Sequence, residues 1–152
     1  MDDHGLLTTV QSLANCMRQA VDASKIQPNM VDLYTYVAEH GRLWTPAPLP
    51  KGIRYGRVKQ CFHNCQKLAT RRRSLQYVEG YAFSGQLAFP IHHAWCVKGD
   101  TVIDPTWDPP GIAYLGIVFD MDFVAEQIAG NTQSISVIDN WEKGFPLLRR
   151  TP

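Results

Sequence analysis

The chain has 152 residues, a formal net charge of +1, 45% hydrophobic residues and 19% charged residues. These values are ordinary for one soluble globular domain with a sizeable core, and they argue against disorder and against strong attraction to nucleic acid or to an anionic membrane. The longest apolar run, residues 112–119, is far too short to span a bilayer, and the acidic start at Asp2 and Asp3 is unlike a signal peptide. We therefore expect a cytoplasmic protein.

Two helices are predicted before a proline-rich segment. Apolar residues recur at helical spacing over residues 5–24, and Asn29 is a suitable N-cap for a second helix over about 30–39 that ends near Gly41. Three alternating prolines within residues 44–54 favour an extended linker. The expected organisation is a single domain, in which a helical part (1–43) and the linker (44–54) precede a core (55–152).

After the linker the chain changes from helical to strand periodicity. A helix is predicted over residues 61–73, and its basic end is interpreted as solvated or, alternatively, as a contact for a phosphate or an acidic partner. A further helix is predicted from Asp120 to Ile128. The predicted strands cover residues 75–81, 90–97, 101–104, 112–119 and 134–138. Helices followed by hairpin-connected strands indicate an α+β fold.

The four cysteines are expected to be reduced thiols, since the chain is too large and too poor in cysteine to need a disulfide framework. Cys61 stands at the start of its predicted helix, where unpaired N–H groups and the helix dipole favour a thiolate and an oxyanion. Cys65 lies one turn deeper on the same face and is expected to be a small buried hydrophobe. Cys61 is thus the preferred nucleophile, with Cys65 as the alternative.

A histidine and an aspartate follow on neighbouring predicted strands. His92 and His93 are adjacent on one strand, so they face opposite sides of the sheet and only one can face Cys61. A tight turn centred on Gly99 leads into the next strand, which ends at Asp104 within reach of an imidazole. A thiol, an imidazole and a carboxylate are the groups needed for acyl transfer through a thioester.

Four short motifs carry a family resemblance: Cys61-Phe62-His63-Asn64, Tyr77-Val78-Glu79-Gly80-Tyr81-Ala82, His93-Ala94-Trp95 and Ile103-Asp104-Pro105-Thr106-Trp107. In this order they resemble the papain-like and transglutaminase-like cysteine enzymes, an arrangement shared by arylamine N-acetyltransferases, and above all small bacterial and phage proteins of this class. The resemblance covers about residues 55–120 and does not extend to the N-terminal helices.

The resemblance implies a papain-like or transglutaminase-like core with added N-terminal helices. It implies that Cys61 is the nucleophile, His93 the base and Asp104 the acid that orients the base. The expected activity is cysteine-dependent acyl transfer on a peptide or protein amide, by a peptidase, amidase, deamidase or transglutaminase-like enzyme that needs no cofactor and no metal. The chain departs from the pattern by carrying a second cysteine, Cys65, and a second histidine, His92.

Further side chains are candidates for the walls of the site. Tyr55 and Gln60 lie upstream of the cysteine and are candidates for stabilising the oxyanion, while Asn64 is a candidate for lining the cleft. Trp95 and Trp107 are candidates for substrate contacts, with burial in the core as the alternative. Glu79 is interpreted as a buried structural acid, with a substrate contact as the alternative.

Two other functions remain open. The same side chains could belong to a catalytically silent binding protein, for example a phage protein that binds a host factor. They could also form a zinc site, although no paired Cys-x-x-Cys motif is present and Asp104 would have no role. The ligands available to such a site are Cys61, His63, Cys65, His92, His93 and Cys96.

Overall fold

One antiparallel sheet of five strands organises the protein. A computed structural model describes residues 3–24, 30–133 and 135–150. The strands are β1 (Arg42–Trp44), β2 (Gln76–Phe83), β3 (Ile91–Lys98), β4 (Thr101–Ile103) and β5 (Ala113–Phe119), and the helices are α1 (Asp3–Ser24), α2 (Leu33–His40), α3 (Cys61–Arg71) and α4 (Met121–Ile128), with a 3₁₀ turn at Trp141–Lys143. The strand order is β1-β5-β2-β3-β4. The predicted α+β class is confirmed.

The sheet curls until its two edge strands meet. The N–H of Thr45, directly after β1, donates to the carbonyl of Asp100 (3.0 Å), and the N–H of Val102 in β4 donates to the carbonyl of Thr45 (3.0 Å). Trp44 is almost fully buried. The predicted linker is therefore wrong at its first two residues, because Trp44 ends a strand and Thr45 joins the sheet edges. The inside of the curl holds an apolar cluster: Trp44, Val78, Ala82, Trp95, Val97, Val102 and Tyr114.

Close packing inside the curl requires a glycine at position 116. The indole Nε1 of Trp44 donates to the carbonyl of Gly116 (3.1 Å), which pairs with Gly80 across the β2–β5 ladder. A side-chain carbon at position 116 would lie 2.6 Å from the ring of Trp95. Only a residue without a side chain fits there.

The helices cover the outer face of the sheet. α1 and α2 pack on β5, while α3 packs on β3 and β2. α2 begins at Leu33 rather than near residue 30, because the carboxylate of Asp32 accepts the N–H of Thr35 (2.9 Å) and caps the helix there. The predicted cap Asn29 lies outside the described residues. Elsewhere the predicted helix and strand limits agree with the observed ones to within two residues, apart from the last predicted strand.

None of the helices in the described parts of the chain is long and apolar enough to cross a bilayer.

Residues 135–138 do not form the predicted last strand. They wrap around Glu79 of β2, whose side chain is fully buried. Backbone N–H groups that would pair with a neighbouring strand donate to this carboxylate instead, which is why the segment stays irregular. The donors to Glu79 are the N–H of Val137 (2.6 Å), the N–H of Ile138 (3.2 Å), the hydroxyl of Ser136 (2.7 Å) and the hydroxyl of Tyr77 (2.7 Å).

Glu79 has the structural role that its position in the sheet suggested. Burial would raise the pKa of its carboxyl group, but the nearby His92, together with the hydrogen bonds from Val137 and Ser136, lowers the pKa below its ordinary value. The Nε2 of His92 lies 3.7 Å from Glu79 Oε2. The buried acid therefore stays ionised and fixes the C-terminal segment to the sheet.

Glu79→Ala should lower the free energy of unfolding by about 3 kcal/mol or more, because it leaves several buried donors without an acceptor. Urea denaturation followed by circular dichroism measures this change. Gln76→Ala, at the exposed start of the same strand, is the matched control and should change the free energy by less than about 0.5 kcal/mol. Similar small effects of both substitutions would contradict the structural role of Glu79.

Candidate active site

Cys61 is the first residue of α3 and follows a constrained turn. Lys59 has a φ of 61°, in a region that few residues other than glycine occupy. Gln60 is the N-cap, and its side chain makes no capping hydrogen bond. The N–H groups of the first turn are thus not occupied by the cap residue, and they form a partly positive end suited to an anion.

His93 is held from two sides within β3. Its Nε2 lies 2.8 Å from Oδ2 of Asp104. Its ring stacks on that of Trp107, with 3.9 Å between the centroids and 18° between the planes. With only 2% of its surface exposed, the imidazole has a single fixed orientation.

The carboxylate of Asp104 is fully enclosed just after β4. Its Oδ1 accepts the N–H groups of Thr106 (2.9 Å) and Trp107 (3.2 Å), in a local turn that the aspartate itself shapes. Its Oδ2 accepts from His93 and from the hydroxyl of Tyr114 (2.9 Å). Both oxygens therefore have two donors each, which is what a buried carboxylate needs in order to remain charged.

Tyr114 is a contact that sequence reasoning missed. Its hydroxyl oxygen accepts the N–H of Gly111 (2.7 Å), so its proton is free to go to Asp104. Tyr114 lies on β5, which is separated from β3 in the sheet by β2. No local pattern reveals this contact, because it depends on the curl of the sheet.

Cys61 and Asp104 both act on the imidazole of His93. Burial lowers the pKa of His93, but the hydrogen bond with Asp104, the proximity of Cys61 and the charges of both groups raise it to about 9. The ring is therefore a cation at neutral pH. Since Nε2 faces Asp104, Nδ1 is the nitrogen available to the sulfur of Cys61.

The other buried thiols have structural contacts. The Sγ of Cys65 donates to the carbonyl of Ala94 (3.2 Å), and the Sγ of Cys96 donates to the carbonyl of Cys65 (3.4 Å). Burial, followed by the hydrogen bond and charge of Cys96, raises the pKa of the Cys65 thiol well above its ordinary value. These contacts favour Cys61 over Cys65 as the nucleophile.

The neighbouring histidine lies on the opposite face of β3. The ring of His92 packs near Phe62, with 5.0 Å between centroids, and near Tyr81, with 5.9 Å. Its ionic neighbour is Glu79 rather than Asp104. The geometry therefore favours His93 as the imidazole of the site.

Three further candidates from the sequence lie together at the surface. Tyr55, Gln60 and Asn64 line a groove of about 690 Å³ beside the start of α3. The amide of Asn64 donates to the carbonyl of Arg57 (2.8 Å) and to the hydroxyl of Thr106 (3.0 Å). Asn64 thus joins α3 to the turn that contains Asp104. Gln60, which also lines the groove, directly precedes Cys61 in the sequence.

The two tryptophans have different surroundings. Trp95 is fully buried inside the curl and meets Tyr114 edge to face, with 5.0 Å between centroids. Of the two interpretations of Trp95, burial in the core is the one that the structure shows, because the closed sheet shields its ring. Trp107 is only partly buried and covers the ring of His93, so it remains a candidate for substrate contact.

The zinc alternative finds no support in the geometry. Within residues 3–24, 30–133 and 135–150, no three histidine, cysteine, aspartate or glutamate side chains are placed to share a metal ion. His63 is exposed at the groove, whereas Cys65 and Cys96 bond to backbone carbonyls.

Comparisons with known proteins gave no relative: no family model, no curated protein and no solved structure matches this chain. The resemblance to papain-like and transglutaminase-like enzymes therefore stays a prediction. We infer function from the contacts among Cys61, His93 and Asp104.

The raised pKa of His93 predicts a pH dependence of stability. Because the folded value of about 9 exceeds the ordinary 6.5, the contribution of this group is complete below about pH 6.5 and is lost as the pH rises through about 9. Asp104→Asn removes the charge that supports the imidazolium, so it should lower the titration midpoint of His93 by about one pH unit or more. NMR of the imidazole C–H protons measures the midpoint.

Asp100→Asn is the control, because Asp100 is an exposed carboxylate in the turn between β3 and β4. It should leave the midpoint of His93 unchanged. An unsubstituted protein in which His93 titrates at or below 6.5 would contradict the assigned surroundings of the ring.

Proposed function

We propose that this protein is a cysteine-dependent acyl-transfer enzyme that acts on an amide of a peptide or protein through a thioester. The observation that carries the proposal is the buried imidazole of His93, which bonds to Asp104 at 2.8 Å and also interacts with Cys61 at the start of α3. A thiol, a cationic imidazole and a satisfied carboxylate in one chain of contacts are the groups that thioester chemistry requires.

The architecture supports assignment to the papain-like or transglutaminase-like class. The helix that begins with Cys61 packs on the antiparallel sheet that supplies His93, and Asp104 directly follows the neighbouring strand. The N-terminal helices are an addition on the same outer face. The similarity to this class lies in the order of Cys61, His93 and Asp104 along the chain and in their placement on a helix, on a strand and directly after the neighbouring strand.

The chemistry follows from the contacts. The Cys61 thiolate attacks the carbonyl carbon of the amide, and the N–H groups at the start of α3 stabilise the oxyanion. His93 gives its proton to the leaving amine as the C–N bond breaks and the thioester forms. Water or an amine then attacks the thioester and gives a proton to His93, while Cys61 leaves as a thiolate. Asp104 holds the imidazole in the productive orientation throughout.

The molecule that accepts the acyl group from the thioester determines the class of reaction. With water the enzyme is a peptidase, an amidase or a deamidase, and with an amine it is transglutaminase-like. Each of these reactions uses the same three residues, and none requires a cofactor.

Cys61→Ala should abolish turnover and leave the fold intact, because the side chain is small and only its sulfur is needed for chemistry. Electrophilic peptide probes and iodoacetamide, read out by mass spectrometry at each sulfur, measure the reactivity of the thiols. The experiment should be done in a Cys16→Ser background, since Cys16 is exposed and would react nonspecifically. We expect labelling of Cys61 to be at least about tenfold faster than labelling of Cys65 or Cys96 near neutral pH.

Cys65→Ala is the matched control, and it should retain labelling at Cys61. Loss of activity in Cys65→Ala but not in Cys61→Ala would show that the nucleophile is assigned wrongly. A Cys61 that reacts as slowly as the buried thiols would leave the protein as a binding module without catalysis.

Asp104→Asn should lower the rate by roughly 10²- to 10⁴-fold, because the amide no longer supports the imidazolium or fixes its tautomer. The rate is measured on a peptide substrate selected with the probe panel, and circular dichroism checks the fold. Asp100→Asn should retain full activity. An unchanged rate in folded Asp104→Asn protein would remove this residue from the mechanism.

A further inference from the structure

The groove beside α3 has a strongly basic lining. One wall is the loop of residues 52–57, and the other is a face of α3. Among the residues that the structure describes, none of those lining the groove is acidic. The basic side chains of the lining are Arg54, Arg57, His63, Lys67, Arg71 and Arg72.

The basic side chains of the helix wall are regularly spaced. His63, Lys67 and Arg71 follow one another at intervals of four residues, so they form a single row along one face of α3. At about 1.5 Å per residue this row is roughly 12 Å long. Arg54 and Arg57 face it from the loop. The groove therefore presents positive charge along its whole length rather than at one point.

Salt bridges within the described part of the chain do not neutralise this charge. Among the described residues, none of the five lysine and arginine side chains forms a salt bridge. Arg72 donates to the carbonyl of Gly52 (2.8 Å), which leaves its charge without a counterion. Because the whole chain has a formal net charge of only +1, the concentration of cations is local to this groove. An unpaired basic row of this kind attracts an anionic ligand.

The groove leads to the site described above. Gln60 and Pro105, which precede Cys61 and follow Asp104 in the sequence, also line the groove, as does Asn64, which donates to the hydroxyl of Thr106 in the turn after Asp104. A ligand in the groove is thus brought to the start of α3. An extended peptide advances about 3.3 Å per residue, so about four residues would cover the row.

We propose that this groove binds an acidic segment of the polypeptide substrate, next to the amide that Cys61 attacks. Carboxylates spaced along an extended chain match a row of cations, whereas a single phosphate group would engage only one end of it. The attack rests on the proposed function, but the binding of the acidic segment does not require it.

Fluorescence anisotropy with Cys61→Ala protein tests the binding without turnover. The probe is a fluorescein-labelled peptide of alternating glutamate and glycine, compared with its glutamine counterpart. The double variant Lys67→Gln, Arg71→Gln should bind the glutamate peptide about tenfold more weakly, and added salt should weaken binding to the unsubstituted groove. The control variant Arg73→Gln, Lys98→Gln removes two exposed cations outside the groove and should bind within about twofold of the parent.

Three results would overturn the proposal: equal affinity for the glutamine peptide, no effect of the groove variant, or displacement of the peptide by a single-stranded oligonucleotide or pyrophosphate that binds more tightly. Iodoacetamide labelling of Cys61 in the Lys67→Gln, Arg71→Gln protein separates the two proposals. If Cys61 is reactive but the glutamate peptide does not bind, only the proposal for the groove is wrong. If the peptide binds but Cys61 is unreactive, only the catalytic proposal is wrong.

Discussion

The enclosed carboxylate of Asp104 is the constraint on which the site depends. A charge with no access to water must find its hydrogen bonds within the protein, and Asp104 finds them on β3, on β5 and in its own turn. β3 and β5 must therefore hold their registers, and the sheet must curl enough to bring Tyr114 to Asp104. The curl in turn requires that Gly116 leave room for the ring of Trp95. The geometry of the site therefore depends directly on the curvature of the sheet.

The period of a β-strand places two acid–histidine pairs on opposite faces of one sheet. His93 faces Asp104 inside the curl, and His92 faces Glu79 on the helical side. Their surroundings give them different roles, because His93 also interacts with Cys61, whereas Glu79 is already saturated by donors from the C-terminal segment. Under the proposed function, the same residue types serve chemistry on one face of the sheet and cohesion on the other.

Local features of the site could be predicted from the sequence, whereas its long-range contacts could not. The helix start at Cys61 and the hairpin through Gly99 follow from periodicity and turn chemistry, and the short hairpin fixes the proximity of Asp104 to His93. The strand β1 and the burial of Trp44 were missed, because a three-residue strand next to prolines has no periodic signal. The sequence pattern of residues 135–138 is that of a strand, so a strand was predicted there. It does not form because the N–H groups of Val137 and Ile138 donate to Glu79, which is 58 and 59 residues away in the chain.

That separation has a consequence for how the protein is made. When β2 leaves the ribosome, its carboxylate has only the hydroxyl of Tyr77 as a partner, and its other three donors are 57 to 59 positions later in the chain. At about 5–20 residues per second, several seconds pass before those partners are synthesised. During that interval the nascent sheet cannot bury Glu79 without leaving most of the hydrogen bonds of its carboxylate unmade, so its closure waits until residues 136–138 are available.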